Sequence, residues 1–201
     1  DLLRATPELG AAQNRHNVVE ALVLRGEPVD LGAEHFTLVR EACTRWADAA
    51  STRRITFTHR GLEGVSVYAD AGLVARVLDN VVANAVHYNH DGGTVAVAAR
   101  LTVPAADTWA PTLVTIEVTD QGPGIPAADH ERVFERFFRL DAARHRHTGG
   151  SGLGLAICRE VVLALGGTIA VGASSAAGTT IAITLPGKDV ATAEAPPYAR
   201  R

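Results

Sequence analysis

Between residues 71 and 88 the apolar side chains Val74, Val77, Leu78, Val81, Val82 and Ala85 recur at helical spacing. Asn80, Asn84 and His87 or Tyr88 follow one another at i, i+4 and i+7 or i+8, so they share a different face of the same helix. Asparagine is a poor helix former, and an amide taken out of water needs a partner. Such a stripe has two readings: a solvated face of a surface helix, or amide oxygens turned toward a ligand. A hard cation such as Mg²⁺ suits the second, because its sites combine one or two protein oxygens with waters and phosphate oxygens.

The remaining segments arrange themselves around this helix. Residues 31–52 are expected to form a helix capped by Asp30, with Phe36, Val39, Ala42, Cys43 and Trp46 along one face. Short β-like runs lie at 55–59 and 65–68. After residue 88 the turn Asp91-Gly92-Gly93 leads into alternating runs at 94–103 and 113–119, expected as an antiparallel pair joined by a loop over 104–112. Residues 120–154 carry glycine, arginine and histidine without a regular apolar period, as functional loops do. A helix over 152–165 follows, with the stripe Leu153, Ile157, Val161 and Leu165, closed by Gly166-Gly167. Runs at 168–173 and 179–185 complete the pattern. Helices alternating irregularly with hairpin-like strands give the class α+β, a mixed sheet with helices on one face. Residues 1–30, broken at Pro7 and Gly10, read as an appendage, 31–187 as the domain, and 188–201 as a disordered tail.

The 201 residues, 47% hydrophobic and 20% charged, suffice for one globular domain and an extra segment. A net charge of -3 provides no overall basic field, which argues against a protein that binds nucleic acid through its whole surface. Cys43 and Cys158 both sit in apolar helical patterns and read as reduced and structural, pointing to the cytoplasm. No stretch approaches the roughly 20 apolar residues of a membrane span. Because the chain starts at Asp1 and contains no methionine, it is expected to be a piece of a longer protein, with any membrane anchor upstream.

Two further segments carry chemistry. Asp120-Gln121-Gly122-Pro123-Gly124-Ile125-Pro126 stands at a strand end, where a carboxylate can accept from a base amino group and glycines let backbone approach a planar ligand. Alone, it is also an ordinary turn. Thr148-Gly149-Gly150-Ser151-Gly152-Leu153-Gly154-Leu155 leads into a helix, so its backbone N–H groups and the positive helix end can meet phosphate oxygens. It is neither a dinucleotide fingerprint, which would need glycine in place of Leu155, nor a phosphate-binding loop with Gly-Lys-Ser/Thr, since Gly187-Lys188 is followed by Asp189.

Taken in order, Asn80-x-x-x-Asn84-Ala85-x-x-Tyr88, Asp120-x-Gly122-x-Gly124-Ile125, Val133-Phe134-Glu135-Arg136-Phe137-Phe138-Arg139 and Gly150-x-Gly152-Leu153-Gly154-Leu155 resemble the four boxes of the ATP-binding catalytic domains of bacterial sensor histidine kinases. Gly166-Gly167-Thr168 and Gly178-Thr179-Thr180 with Leu185-Pro186 are similar to that family's last two strands, so the resemblance covers about residues 30–187.

The resemblance implies a two-layer α/β sandwich of the Bergerat type, with ATP and Mg²⁺ held between the asparagine helix and a lid over 139–150. It implies that Asn84 ligates Mg²⁺, that Tyr88 packs on adenine and that Asp120 reads the adenine amino group. Gly122 and Gly124 are implied to make room, and Gly152 and Gly154 to hold phosphates. Ile125, Gly150, Ser151, Leu153, Leu155 and Thr180 belong to the same implied nucleotide-contacting set, and Arg139 is the implied lid-end cation for the terminal phosphate. Position 87, usually lysine in the family, is His87 here, which either meets phosphate or is solvated. His145 and His147 read as solvated rather than as a metal site.

Relatives of this fold that hydrolyse ATP carry a glutamate base four residues before the metal asparagine, where this chain has Asn80, an amide with no basic site. A histidine acceptor needs less help, because neutral imidazole is already nucleophilic near pH 7. The expected activity is therefore phosphoryl transfer from Mg-ATP to a histidine, with Asn80, Asn84 and Arg139 as catalytic groups. Hydrolysis, or nucleotide binding without transfer, are the alternatives. None of the eight histidines has an acidic neighbour followed by a Thr/Asn-Pro pair, and His16, the nearest in position, lacks both. The acceptor is thus expected on an upstream dimerisation domain. The parent is expected to be a membrane-anchored homodimer acting on a response regulator, with this piece a monomeric cytoplasmic domain.

Overall fold

A computed structural model describes residues 28–30, 37–62, 65–104, 111–140 and 151–187. The expectations placed on 1–27, 31–36, 63–64, 105–110, 141–150 and 188–201 lie outside the described residues; these include the start of the first expected helix with Phe36, most of the lid, Gly150, His145, His147 and His16.

The asparagine segment is the longest helix, α3 (Ala71–Tyr88), lying behind β1 (Pro28–Asp30), α1 (Thr37–Arg45), α2 (Ala47–Thr52), β2 (Thr56–Arg60) and β3 (Ser66–Tyr68). β4 (Thr94–Thr102), β5 (Leu113–Thr119), short 3-10 turns at 127–129 and 132–134, α4 (Gly154–Ala164), β6 (Thr168–Ser175) and β7 (Gly178–Pro186) follow. The main sheet has the order β2-β4-β5-β7-β6, parallel between β2 and β4 and antiparallel elsewhere. A parallel neighbour requires a crossover, and α3 lies within the segment that connects β2 to β4.

The period-two pattern decides which face of the sheet is covered. Val95 and Val97 of β4, Val114, Ile116 and Val118 of β5, and Ile181, Ile183 and Leu185 of β7 are buried against Val74, Val77, Leu78, Val81 and Val82 of α3 and Cys158 and Val162 of α4. Each such side chain stabilises the fold by about 1.5–3 kcal/mol. On the opposite face threonine hydroxyls pair across strands, Thr115 with Thr184 at 3.2 Å and Thr119 with Thr180 at 2.9 Å. The fold is thus the expected α+β sandwich, a mixed sheet with helices on one face.

Several local expectations are corrected. Over its described part, 37–52, the expected single helix is two helices meeting at Trp46, whose indole N–H donates to Asp79 Oδ1 (3.1 Å) beside Arg45 Nε (2.8 Å). The carboxylate on α3 therefore anchors the place where the first helix bends. Asp30, expected as a helix cap, is the last residue of β1, which pairs antiparallel with β3. The final three residues of the expected appendage thus belong to a small second sheet, which Val67 extends by a bridge to Gly187.

Both ends of α3 are tied. Asp70 accepts from Leu73 N–H at 2.9 Å as N-cap, and Arg53 serves the other end. Its guanidinium donates to Val86 O (2.7 Å), His87 O (2.9 Å) and Asn89 O, while its Nε donates to Asp91 Oδ1 (2.9 Å). A planar cation at the carbonyl end of a helix meets unsatisfied acceptors and the negative end of the dipole together. Arg53→Met is therefore expected to lower unfolding stability by about 2–3 kcal/mol in urea titration, with Arg53→Lys recovering only part of it. A change within about 0.5 kcal/mol for Arg53→Met would contradict this account of the helix end.

Candidate functional site

A cleft of about 980 Å³ opens where the amide face of α3, the ends of β5 and β7, and the 120–140 segment converge. Asn80, Asn84 and Tyr88 line one wall; Asp120, Gly124 and Ile125 line another; Ser151, Gly152, Gly154 and Leu155 lead into α4; Arg139 stands at the margin. The three segments that looked informative in the sequence therefore meet in one volume.

The asparagines divide their work. Asn80 Nδ2 donates to Arg76 O at 2.8 Å, and its Oδ1 lies where a β-carbon on Gly154 would come within 3.1 Å. The side chain thus packs against the first residue of α4. Asn84, half-buried, has no hydrogen-bond partner among the described residues, so its amide oxygen is left to the cleft. An unpaired amide in a partly desolvated site fits an Mg²⁺ ligand.

Asp120 is 8% exposed, and its Oδ1 accepts from Gly122 N–H (2.7 Å) and Thr179 N–H (3.3 Å). Burial pushes its carboxyl above the ordinary carboxylate value, and the backbone hydrogen bonds pull part of the way back. Both bonds fall on one oxygen, which leaves the other to accept from a ligand. The following turn is locked to the β6–β7 hairpin: Ile125 N–H donates to Ser174 Oγ at 2.6 Å, and Gly124 at φ +80 sits where a β-carbon would lie 2.0 Å from Ser175 O. Only glycine tolerates both that angle and that approach.

Gly152 at φ +67 and the side-chain-uncapped N-cap Leu153 open α4. The first helical N–H groups therefore lack intrahelical acceptors and point toward the glycine-bearing end of the cleft. Phe137, at φ +66 and 72% exposed, donates its N–H to Gly152 O at 2.9 Å, tying the segment after the second 3-10 turn to the start of α4.

Four expected contacts are placed elsewhere. Thr180 is directed to the far sheet face, bonded to Thr119, because strand side chains alternate; Thr179, one residue earlier, lines the cleft. Gly122 is buried beneath the wall, where a β-carbon would approach Tyr88 O to 2.4 Å, so it makes room for the helix end rather than for a ligand. His87 is exposed outside the cleft wall, its ring edge-on to Tyr88 with centroids 4.8 Å apart. Leu153 contributes the helix cap and not the lining.

Other residues enter that the sequence did not single out. Trp46, Asp129 and Thr179 line the cleft, Ser174 pins its turn, and Asn89 bonds to Gln121 N–H at 3.3 Å beneath it. Of these, only Asn89 left a signal, as a polar residue just past a strong helix and before two glycines. Cys158 donates toward Val77 O at 3.7 Å, and burial pushes its thiol up to about 12 and that of Cys43 to about 11, so both stay protonated and take no part in the cleft.

Residues 69–189 match the family described as histidine kinase-, DNA gyrase B-, and HSP90-like ATPase. The chain is 38% identical over 150 residues to the sensor-like histidine kinase SenX3 of Mycolicibacterium smegmatis, covering 75% of this chain and 37% of that protein. It is 43% identical over 123 residues to the sensor histidine kinase WalK of Bacillus subtilis, covering 61% of this chain and 19% of that one. The chain thus spans well under half the length of these relatives. Among solved structures it is similar to the mycobacterial sensor histidine kinase MprB, with 34% identity and a TM-score of 0.65 over 82% of this chain and 99% of that one.

The raised carboxyl of Asp120 makes a signed prediction. Its folded value lies above its unfolded one, so ionisation costs stability at pH values above both, and that cost disappears as pH falls through the carboxylate range. Asp120→Asn, whose Oδ1 can keep both backbone N–H bonds, is expected to resist urea better than the wild type at pH 7, with the gain shrinking toward pH 4. A variant less stable than wild type at pH 7 would show that the carboxylate charge is favourably held.

Proposed function

The chain belongs to the histidine kinase-, DNA gyrase B- and HSP90-like ATPase family, among its sensor histidine kinases, and from that premise we propose that it binds Mg-ATP and transfers the γ-phosphoryl group to a histidine on a separate dimerisation domain. The observation that carries this reading is the convergence of unpaired Asn84, buried Asp120 and the uncapped start of α4 on one cleft.

Asp120 accepts the exocyclic amino group of adenine, and Tyr88 and Ile125 flank the base. The amides opening α4, preceded by Ser151 and Gly152, hold phosphate oxygens at a positive helix end. Asn84 supplies the protein oxygen to Mg²⁺, which when bound neutralises charge on the transferring phosphoryl group. Arg139 adds a cation at the cleft margin. Asn80, tied back to Arg76 O, offers no base to activate water, which favours transfer over hydrolysis. We place the domain as residues 31–187 together with the β1 strand at 28–30, within a longer sensor kinase, on the cytoplasmic side of a membrane and addressed to a response regulator; among the described residues no helix is long and apolar enough to cross a membrane.

Incubation with Mg²⁺, γ-labelled ATP and a separately produced dimerisation domain should place acid-labile label on the acceptor histidine, and the chain alone should remain unlabelled. Asn84→Ala should slow transfer by about 100-fold or more. Label released only as inorganic phosphate would support hydrolysis instead, and bound nucleotide without any transfer would support a binding module. Asp120→Asn should also erode the preference for ATP over GTP, since it replaces a charge-assisted acceptor worth about 1.5–3 kcal/mol; an unchanged preference would remove Asp120 from base recognition.

A further inference from the structure

The end of α3 and the Asp120 turn are joined by a small polar network beneath the cleft. Asn89 is 3% exposed. Its Oδ1 accepts from His90 N–H (3.0 Å) and Gln121 N–H (3.3 Å), and its Nδ2 donates to Thr94 O (3.0 Å). Gln121 completes the ring, its Oε1 accepting from Thr94 N–H at 2.8 Å. One asparagine and one glutamine thus connect three segments: the residue after α3, the first residue of β4 and the residue after Asp120. Around this ring the backbones are in contact. A β-carbon on Gly93 would lie 2.3 Å from Asn89 Oδ1, and one on Gly122 would lie 2.4 Å from Tyr88 O.

This placement has a consequence for the cleft. Tyr88 and Asp120, on opposite walls, are the immediate chain neighbours of Asn89 and Gln121. The Asn89–Gln121–Thr94 ring therefore ties the chain beside Tyr88 to the chain beside Asp120, and among the described residues no hydrogen bond joins Tyr88 to Asp120 directly. We propose that Asn89, with Gln121, is a positioning residue that fixes the spacing between the Tyr88 wall and the Asp120 carboxylate, and thereby sets selectivity for the nucleobase. The inference rests on the adenine reading above. Neither side chain lines the cleft, so any effect on selectivity must pass through Tyr88 and Asp120.

The test compares Asn89→Ala, Gln121→Ala and Gln121→Glu with wild type by titrating the whole chain with Mg-ATP and with Mg-GTP in a calorimeter. Glutamate at 121 retains the oxygen that accepts from Thr94 N–H, whereas alanine does not. Both alanine variants should weaken ATP binding about fivefold, the worth of one lost hydrogen bond, and move the ATP-to-GTP ratio toward one, while Gln121→Glu keeps the wild-type ratio. Amide exchange at Gln121, measured without nucleotide, should quicken in Asn89→Ala. If Asn89→Ala does not fold, the Gln121 pair decides the matter, because that side chain is exposed. An alanine variant that weakens both nucleotides equally, or that leaves the ratio unchanged, overturns the positioning role while leaving the adenine reading intact. A wild-type chain with no preference for ATP overturns the reading and this inference together.

Discussion

Burial of one carboxylate, Asp120, shapes the cleft end of this domain. Asp120 stands at the end of β5, between Val118 in the core and a turn that reverses beneath α3, and it is almost wholly removed from water. A charge in such a place is held by hydrogen bonds, and among the described residues those it receives come from backbone, including Gly122 in its own turn and Thr179 on the neighbouring strand. Those bonds dictate the local chain path. The turn must fold back on itself to present Gly122, and β7 must begin where Thr179 can reach; Gly178, at φ +137 where a β-carbon would lie 2.0 Å from Asp120 O, makes that start possible.

The neighbouring constraints follow from this one. The turn that satisfies Asp120 must pass under the end of α3, so residue 122 has no side chain and Asn89 supplies the acceptor for Gln121 N–H. The end of α3 is thereby exposed to a second demand, for donors to its last carbonyls, and Arg53 meets it from the loop before β2. The parallel pairing of β2 with β4 brings that loop beside the helix end. A single buried acceptor, a helix end and a strand crossover are thus parts of one arrangement, and the cleft is the space they leave. Holding an ionised Asp120 out of water costs free energy, which the backbone hydrogen bonds to it offset only in part.

Much of this was legible in the chain itself. The α3 stripe, the paired runs of β4 and β5, and the helix closing at Gly166 all follow from apolar period and turn chemistry, which are local. The meeting of the asparagines, the Asp120 turn and the glycine segment was accessible only through the resemblance, because spacing alone leaves each open to an ordinary structural reading. What escaped was set by tertiary contact. The bend at Trp46 depends on Asp79, 33 residues away. Asp30 reads as a cap by type, yet its strand partner Ser66 decides its state. Thr179 and Thr180 are alike in sequence, and only the register with β5 tells which of them faces the cleft. The buried role of Asn89 needed the position of Gln121.

Whether these walls form a ready site for an adenine nucleotide with its metal is decided by calorimetric titration of the whole chain with ATP, with Mg²⁺ present and again with the metal chelated. One nucleotide should bind per chain, with affinity falling on chelation in the wild type and insensitive to chelation in Asn84→Ala. Absence of binding, or a metal dependence that survives in Asn84→Ala, would contradict this reading of the cleft.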